Sequence, residues 1–468
     1  MTMFDRITRA ARRRRRSRAS ALGALLASAA LVAAACSGSA ATEAPSAAAP
    51  SQAAPSVEAS STAASLAASD AGYTGPPVTI SYSTWGDATE LKSQRAMVDA
   101  FQAANPNITV NVTESDWEPY WDSLQTAIAG GAAPDVFAMD GPLFPDYESR
   151  GVLLDLKPYI DRDGYDLGQL ADQAVADFTT PDGQFGLPRD LNVVALYYNK
   201  KMFDAAGIPY PDGTWDWAKL VDVAKQLTVR SADGKTSQWG LYSETTDMEN
   251  FWSELVWQNG GDIVSADKKT NLIGSDAAAG GIQFLQDLIY KDKVLPDPTV
   301  WPSDSGDAFE QGKAAMEVNG SWLVATDIAA GLDFGIAPLP KGPAGQATSI
   351  NPTGAVVSKT TKNPDAAWAF VKYLTSPAAQ TQLMQLKSSM PANKEVLAGP
   401  FATSFDGAQT LADAIAYAHL KPSFKGYNEW STALQTELDA NVFTDPKKTA
   451  KQAIADVLPQ LDSILAKQ

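Results

Sequence analysis

The chain has 468 residues, 45% of them hydrophobic and 9% aromatic, which is enough for a folded interior and favours two domains over one. Eight of its 37 bases and one of its 54 acids (Asp5) fall in the first 35 residues, so the remainder sets 29 bases against 53 acids, a net charge of −24. A body this acidic argues against a phosphate-backbone partner, and one cysteine (Cys36) with one histidine (His419) excludes a zinc cluster, a Cys–His nucleophile pair and an internal disulfide. No nucleic acid, metal or cofactor is expected.

The arginines of the first eighteen residues precede an apolar run, 19–35, in the layout of a secretory signal peptide spanning 1–35. That run is short for a spanning helix, and no later stretch approaches twenty uninterrupted apolar residues. Cys36 closes it in Leu31-Val-Ala-Ala-Ala-Cys36-Ser-Gly, which resembles the lipobox at which bacterial lipoproteins are cleaved and acylated; the alternative is a free thiol beside an ordinary signal-peptidase site. Residues 36–76 are Ala, Ser, Pro and Thr with almost no large apolar side chain, a disordered tether after the lipidated cysteine. About forty such residues span on the order of 35 Å.

Alternation of Val78, Ile80 and Tyr82 with polar neighbours predicts a strand ending at Trp85-Gly86-Asp87. A helix from about Thr89, with Leu91, Met97, Val98 and Phe101 on one face, stops at Asn105-Pro106. Ile108, Val110 and Val112 then mark a second strand, a helix is predicted over 121–129, and 134–139 is a third strand. Successive βαβ units imply an open, mostly parallel sheet covered by helices, with ligand beyond the carboxyl ends of its strands. Those ends carry Trp85 and Asp87, then Glu114 and Trp117, then Asp140.

Further on, Thr214 is read as the cap of a helix with Trp217, Leu220, Val221, Ala224 and Leu227 inward, and Asn363-Pro364-Asp365 opens another with Trp368, Val371 and Leu374 inward. Trp215, Trp217 and Trp368 are therefore expected in the core. Tyr197 and Tyr198 end a strand and are read as packing residues, and Asp135 as a local turn or cap acid.

Five stretches, in order, carry a resemblance to a known family. They are 80–87 (ISYSTWGD), 130–137 (GGAAPDVF), 186–200 (GLPRDLNVVALYYNK), 312–322 (GKAAMEVNGSW) and 334–340 (FGIAPLP). Over about 78–465 the chain resembles the family 1 extracellular solute-binding proteins, the maltose-binding-protein-like receptors of bacterial ABC importers. The resemblance implies an α/β, two-lobed periplasmic-binding-protein-like fold, each lobe an open mostly parallel sheet flanked by helices, with a hinge between them. Crossings near Asp190, Thr348 and Pro391 would give a first lobe of 77–190 plus 348–391 and a second of 191–347 plus 392–468.

It also implies a non-enzymatic lipoprotein, a monomer on the outer face of the cytoplasmic membrane. Such a protein captures a mono- or oligosaccharide in the cleft and delivers it to permease subunits with their ATPase. Carried over by position, Trp85, Asp87 and Asp140 belong to the pocket, and Trp322 and Trp430 fall where relatives stack a sugar. Asn192 stands where relatives often place an acid, with Asp190 two residues away. Glu114, Trp117, Asn351, Tyr427 and Trp252 complete the candidate set; the five-residue gap between Trp252 and Trp257 allows at most one of them in the cleft. Trp301 is open between cleft and surface.

Flat aromatic rings suit the C–H faces of a pyranose, and carboxylates and amides suit its hydroxyls. Two other readings use the same residues. A secreted glycoside hydrolase would need a carboxylate pair at defined spacing. A polyamine receptor would use an acidic, aromatic cleft through cation–π contact.

Overall fold

The computed structural model describes residues 73–243, 248, 251–302 and 307–467, all within one compact unit, Ala63–Gln468. The expected signal peptide, Cys36 and the tether up to residue 72 lie outside the described residues. Among the described residues no helix is long and apolar enough to cross a membrane.

Strand β1 (Val78–Trp85) turns Ile80, Tyr82 and Thr84 inward. Helix α1 (Ala88–Ala104) follows directly because Asp87 and Glu90 form a capping box: Asp87 Oδ1 accepts from the Thr89 and Glu90 N–H groups, and Glu90 Oε2 from the Asp87 N–H. Strand β2 (Ile108–Ser115) runs parallel to β1, and after helix α2 (Trp117–Ala129) the fully buried β3 (Val136–Asp140) joins the other edge of β1, also parallel. The first lobe is thus the expected βαβ arrangement, with a core of Ile80, Phe101, Trp368 and Phe370 among others.

Strand β4 (Gly186–Asn199) is fourteen residues long and buried almost throughout, which lets it serve both lobes. In the second lobe helices α3 (Trp252–Gln258) and α4 (Asp276–Tyr290) precede strand β5 (Met316–Gly320) and helix α5 (Val324–Ala329). Strands β6 (Phe334–Ala337), β7 (Thr348–Val357) and β8 (Ala418–Leu420) come next, then helices α6 (Tyr427–Leu438) and α7 (Ala450–Leu465). The sheet order is β6-β4-β7-β3-β1-β2, with β5 on β4 and β8 on β7. The amino half of β4 pairs antiparallel with β7 (Asp190 opposite Thr353, Asn192 opposite Asn351), and its carboxyl half with β5 and β6.

Both partners of β4 in the second lobe are antiparallel, and in the first lobe β7 runs antiparallel to β3 and β4 beside the parallel β2-β1-β3, so the sheet is mixed. The reason is that β4 enters the second lobe as the continuation of a first-lobe strand rather than through a helical crossover. Two local expectations also shift. The helix after Trp215 is capped by Asp216, whose side chain accepts from the Lys219 N–H, not by Thr214. Helix α2 begins four residues earlier than the expected 121, at Trp117.

Trp215 and Trp368 are buried; half-buried Trp217 stacks on Phe284 at 4.0 Å. The fully buried Tyr197 donates to the Gly320 carbonyl, and Asp135 accepts from Ser81 and Thr361.

One buried group of the second lobe makes stability depend on pH. Asp327 on α5 is fully buried with neither carboxylate oxygen hydrogen-bonded, and burial, reinforced by Asp307 and Glu310, pushes its carboxyl up to about 8. Its folded-state value is raised, so its contribution is fully present below the ordinary carboxylate range and is lost as pH rises through about 8. The slope is about 1.4 kcal/mol per pH unit at most. Urea midpoints of the parent and Asp327→Asn, taken from pH 5 to pH 9, are expected to converge at low pH. Above pH 8 the variant should be the more stable; parallel curves would show that Asp327 is ionised throughout.

Candidate functional site

Arg189 sits where β4 passes between the lobes. The register of β4 against β7 slips between Thr353 and Gly354, so Arg189 is the extra residue of a bulge, which re-aims its side chain into the interior. Its guanidinium donates to Tyr82 Oη at 2.8 Å, to Thr84 Oγ1 at 2.9 Å and to Asp190 Oδ2 at 2.6 Å. Next along the strand, Asn192 Oδ1 accepts from Ser321 Oγ at 2.8 Å, and Asn351 opposite donates to Ser349 Oγ at 3.2 Å. Asp190, Asn192 and Asn351 are therefore committed to the junction.

Other contacts tie one lobe to the other. Thr326 of α5 donates to Asp87 Oδ2 at 2.6 Å, Ser423 to the Gly141 carbonyl at 2.9 Å, and the Gly426 N–H to Asp146 Oδ1 at 2.6 Å. Asp87, expected to face ligand, thus both caps α1 and reaches across to α5.

Between the lobes lies a cleft of about 720 Å³. Its first wall is built by α2, which presents Trp117, Glu118, Trp121, Asp122 and Gln125 at helical spacing, by Asp140 at the end of β3, and by the segment after it with Asp146, Tyr147 and Arg150. Behind Trp117 the aromatic rings interlock: Trp85 meets Trp117 at 4.9 Å, Tyr120 at 5.1 Å and Trp121 at 5.3 Å. Edge-to-face packing against Trp85 and Trp121 holds the exposed indole of Trp117 rigid before any ligand arrives.

The opposite wall comes from Met248, Trp252 and α6. Trp252 is 1% exposed and lies at the base, where its Nε1 donates to Gln435 Oε1, while Gln435 Nε2 donates to Asp439 Oδ1 at 2.8 Å. Asp439 is half-buried, and desolvation raises its carboxyl pKa against the lowering effect of the Gln435 bond.

Of the residues singled out in the sequence, Trp117, Asp140, Trp252 and Tyr427 line this cleft, and Trp85 backs it. Three others lie away from the cleft lining. Glu114 pairs with Arg95 of α1 instead of facing a ligand. Trp322 turns back over Gly320 and packs on the second-lobe core, outside the cleft lining.

Trp430, expected to stack a sugar, is 0% exposed, with Nε1 bonded to Asn271 Oδ1 at 2.7 Å and Phe424 edge-on at 5.9 Å. The cause is helical phase: Trp430, Leu434 and Leu438 form the inward stripe of α6, while Tyr427, Asn428, Ser431, Gln435 and Thr436 line the cleft. Sequence reasoning missed Trp121, Tyr147 and Asp439. Starting α2 at Trp117 would have found Trp121, which follows it by one turn.

The family model described as bacterial extracellular solute-binding protein matches residues 85–381. A galactooligosaccharide-binding protein of Bacillus subtilis is 24% identical, covering 79% of this chain and 86% of its own. A maltotriose-binding protein of Pyrococcus abyssi is 26% identical over 78% of this chain and 77% of its own. Among solved structures, an ABC substrate-binding protein from Listeria monocytogenes in complex with cycloalternan superposes with a TM-score of 0.76 at 27% identity, covering 83% of this chain and 99% of that one.

Proposed function

Because the chain belongs to the bacterial extracellular solute-binding protein family, we propose that it captures a saccharide between its lobes and delivers it to the permease of an ABC importer. The observation that carries this is the cleft itself: Trp117 and Trp121 line one wall and Trp252 the base, beside carboxylates and amides contributed by both lobes. Rings supply affinity through the C–H faces of a sugar, and each hydrogen bond to a charged acceptor contributes about 1.5–3 kcal/mol and so selects among stereoisomers. The saccharides named for the relatives above support the same class of ligand.

In this reading 77–190 plus 348–391 and 191–347 plus 392–468 move as two bodies about Asp190, Asn192 and Asn351, closing Trp117 toward Trp252. The Thr326–Asp87 bond favours the approached arrangement. The chain acts as a monomer and releases its solute unchanged. Cys36 carries the lipid, and the segment up to residue 76 is the tether that holds the receptor at the outer face of the cytoplasmic membrane.

A thermal-shift screen of the protein over neutral and charged oligosaccharides and polyamines tests the proposal. A ligand at about a hundredfold over its Kd is expected to add about 2.7 kcal/mol, and closure should shift the intrinsic tryptophan fluorescence. A panel in which no saccharide stabilises the chain, or in which a glycoside is hydrolysed, would overturn it.

A further inference from the structure

Resting on the reading of the cleft as a saccharide site, we propose that it selects saccharides bearing an amine, and that Asp439 is the residue that meets the ammonium group. Five carboxylates line the cleft, Glu118, Asp122, Asp140, Asp146 and Asp439, and among the described lining residues the one cation is Arg150. The Arg150 guanidinium carbon stands 5.4 Å from the centre of the Tyr147 ring.

Hydroxyl groups of a neutral sugar can satisfy the hydrogen bonding of a carboxylate. They leave its charge uncompensated when closure removes water, and a buried charge without a counter-charge is costly. An ammonium group supplies donors and charge together.

Asp439 is placed for this role by the backbone. Helix α6 passes into a π-helical turn, Asp439–Phe443, and such wide turns recur at functional sites. The Gln435 amide, itself held by Trp252, fixes one Asp439 oxygen, and partial burial makes the uncompensated carboxylate unfavourable.

A further group suits a ligand that also carries oxygen. On the facing wall the Trp121 Nε1 is buried without a hydrogen-bond partner. An indole N–H can only donate, so it calls for an acceptor such as a sugar hydroxyl or ring oxygen. A polyamine lacks that acceptor, and a neutral sugar lacks the positive charge.

Calorimetric titration of the chain at pH 6 with the β-1,4-linked trimers of glucosamine and of glucose compares ligands that differ only in ammonium for hydroxyl at one carbon of each ring. The glucosamine trimer is expected to bind at least tenfold more tightly, with the advantage shrinking between 20 and 300 mM NaCl and in Asp439→Asn. The melting temperature of the unliganded variant serves as the check on its fold. Equal affinity for the two trimers, or an advantage untouched by Asp439→Asn, overturns the inference and leaves the saccharide reading standing. Spermidine binding more tightly than the glucosamine trimer also overturns it. Failure of both trimers together with every other saccharide removes the saccharide reading as well.

Discussion

Replacing Arg189 by Met is expected to cost about 3–5 kcal/mol of folding stability, the range for removing one partner of a buried ion pair. Arg189 is 4% exposed and Asp190 1%, so the neutral side chain would leave the Asp190 carboxylate without its counter-charge and Tyr82 and Thr84 without their donor. Urea denaturation of Arg189→Met, Asp190→Asn and the double variant forms a cycle in which the double change should cost less than the sum of the singles, because no charge is then left unpaired. A cost below about 1 kcal/mol for Arg189→Met, or strict additivity, would show that water reaches this pair. The site matters beyond stability, since the bulge at Arg189 joins the end of β1 to the strand that passes between the lobes.

Two tryptophans within reach of the same cleft are expected to respond in opposite ways. Trp430→Ala should lose about 3–5 kcal/mol, as a large aromatic deleted from a packed core does, while ligand affinity of the molecules that remain folded changes little. Trp117 is 40% exposed, so its replacement by Ala should cost less than about 1 kcal/mol of stability, as changes at exposed positions usually do. Removing the ring from the mouth of the cleft should weaken saccharide binding by roughly tenfold, equivalent to about 1.4 kcal/mol and within the usual range of an aromatic contact. Denaturation and calorimetric titration of both variants separate the effects. A stable Trp430→Ala that no longer binds would return Trp430 to the site, and an unfolded Trp117→Ala would make it part of the core.

The first lobe was legible because each of its signals is local. Alternation in 78–85 and 108–112, the stripe of Met97, Val98 and Phe101, and the apolar run of 136–139 each specify an element within one or two turns of chain. The caps were less so: Asp216 rather than Thr214 accepts from the helix, because a residue two positions away also carries a suitable oxygen and the turn decides between them. The second lobe hid its strand direction. Nothing in 186–199 distinguishes a strand that ends in one sheet from one that runs on into the next, and it is the pairing with β5, β6 and β7 that shows it.

Residue chemistry in the site was readable from the chain, whereas orientation was not. The sequence by itself determined that the body is acidic, that an internal disulfide and a Cys/His zinc cluster cannot be assembled, that a βαβ lobe opens the fold, and that indoles and carboxylates follow its strand ends. Only the tertiary structure decided which of them share a cleft. A shift of 100° per residue on a helix carries a side chain from core to solvent, as it does between Trp430 and Ser431. A carboxylate near a cleft goes to whichever partner is nearest, as Glu114 does to Arg95 and Asp87 to Thr326. Those outcomes depend on neighbours distant in the chain, and a local pattern holds no record of them.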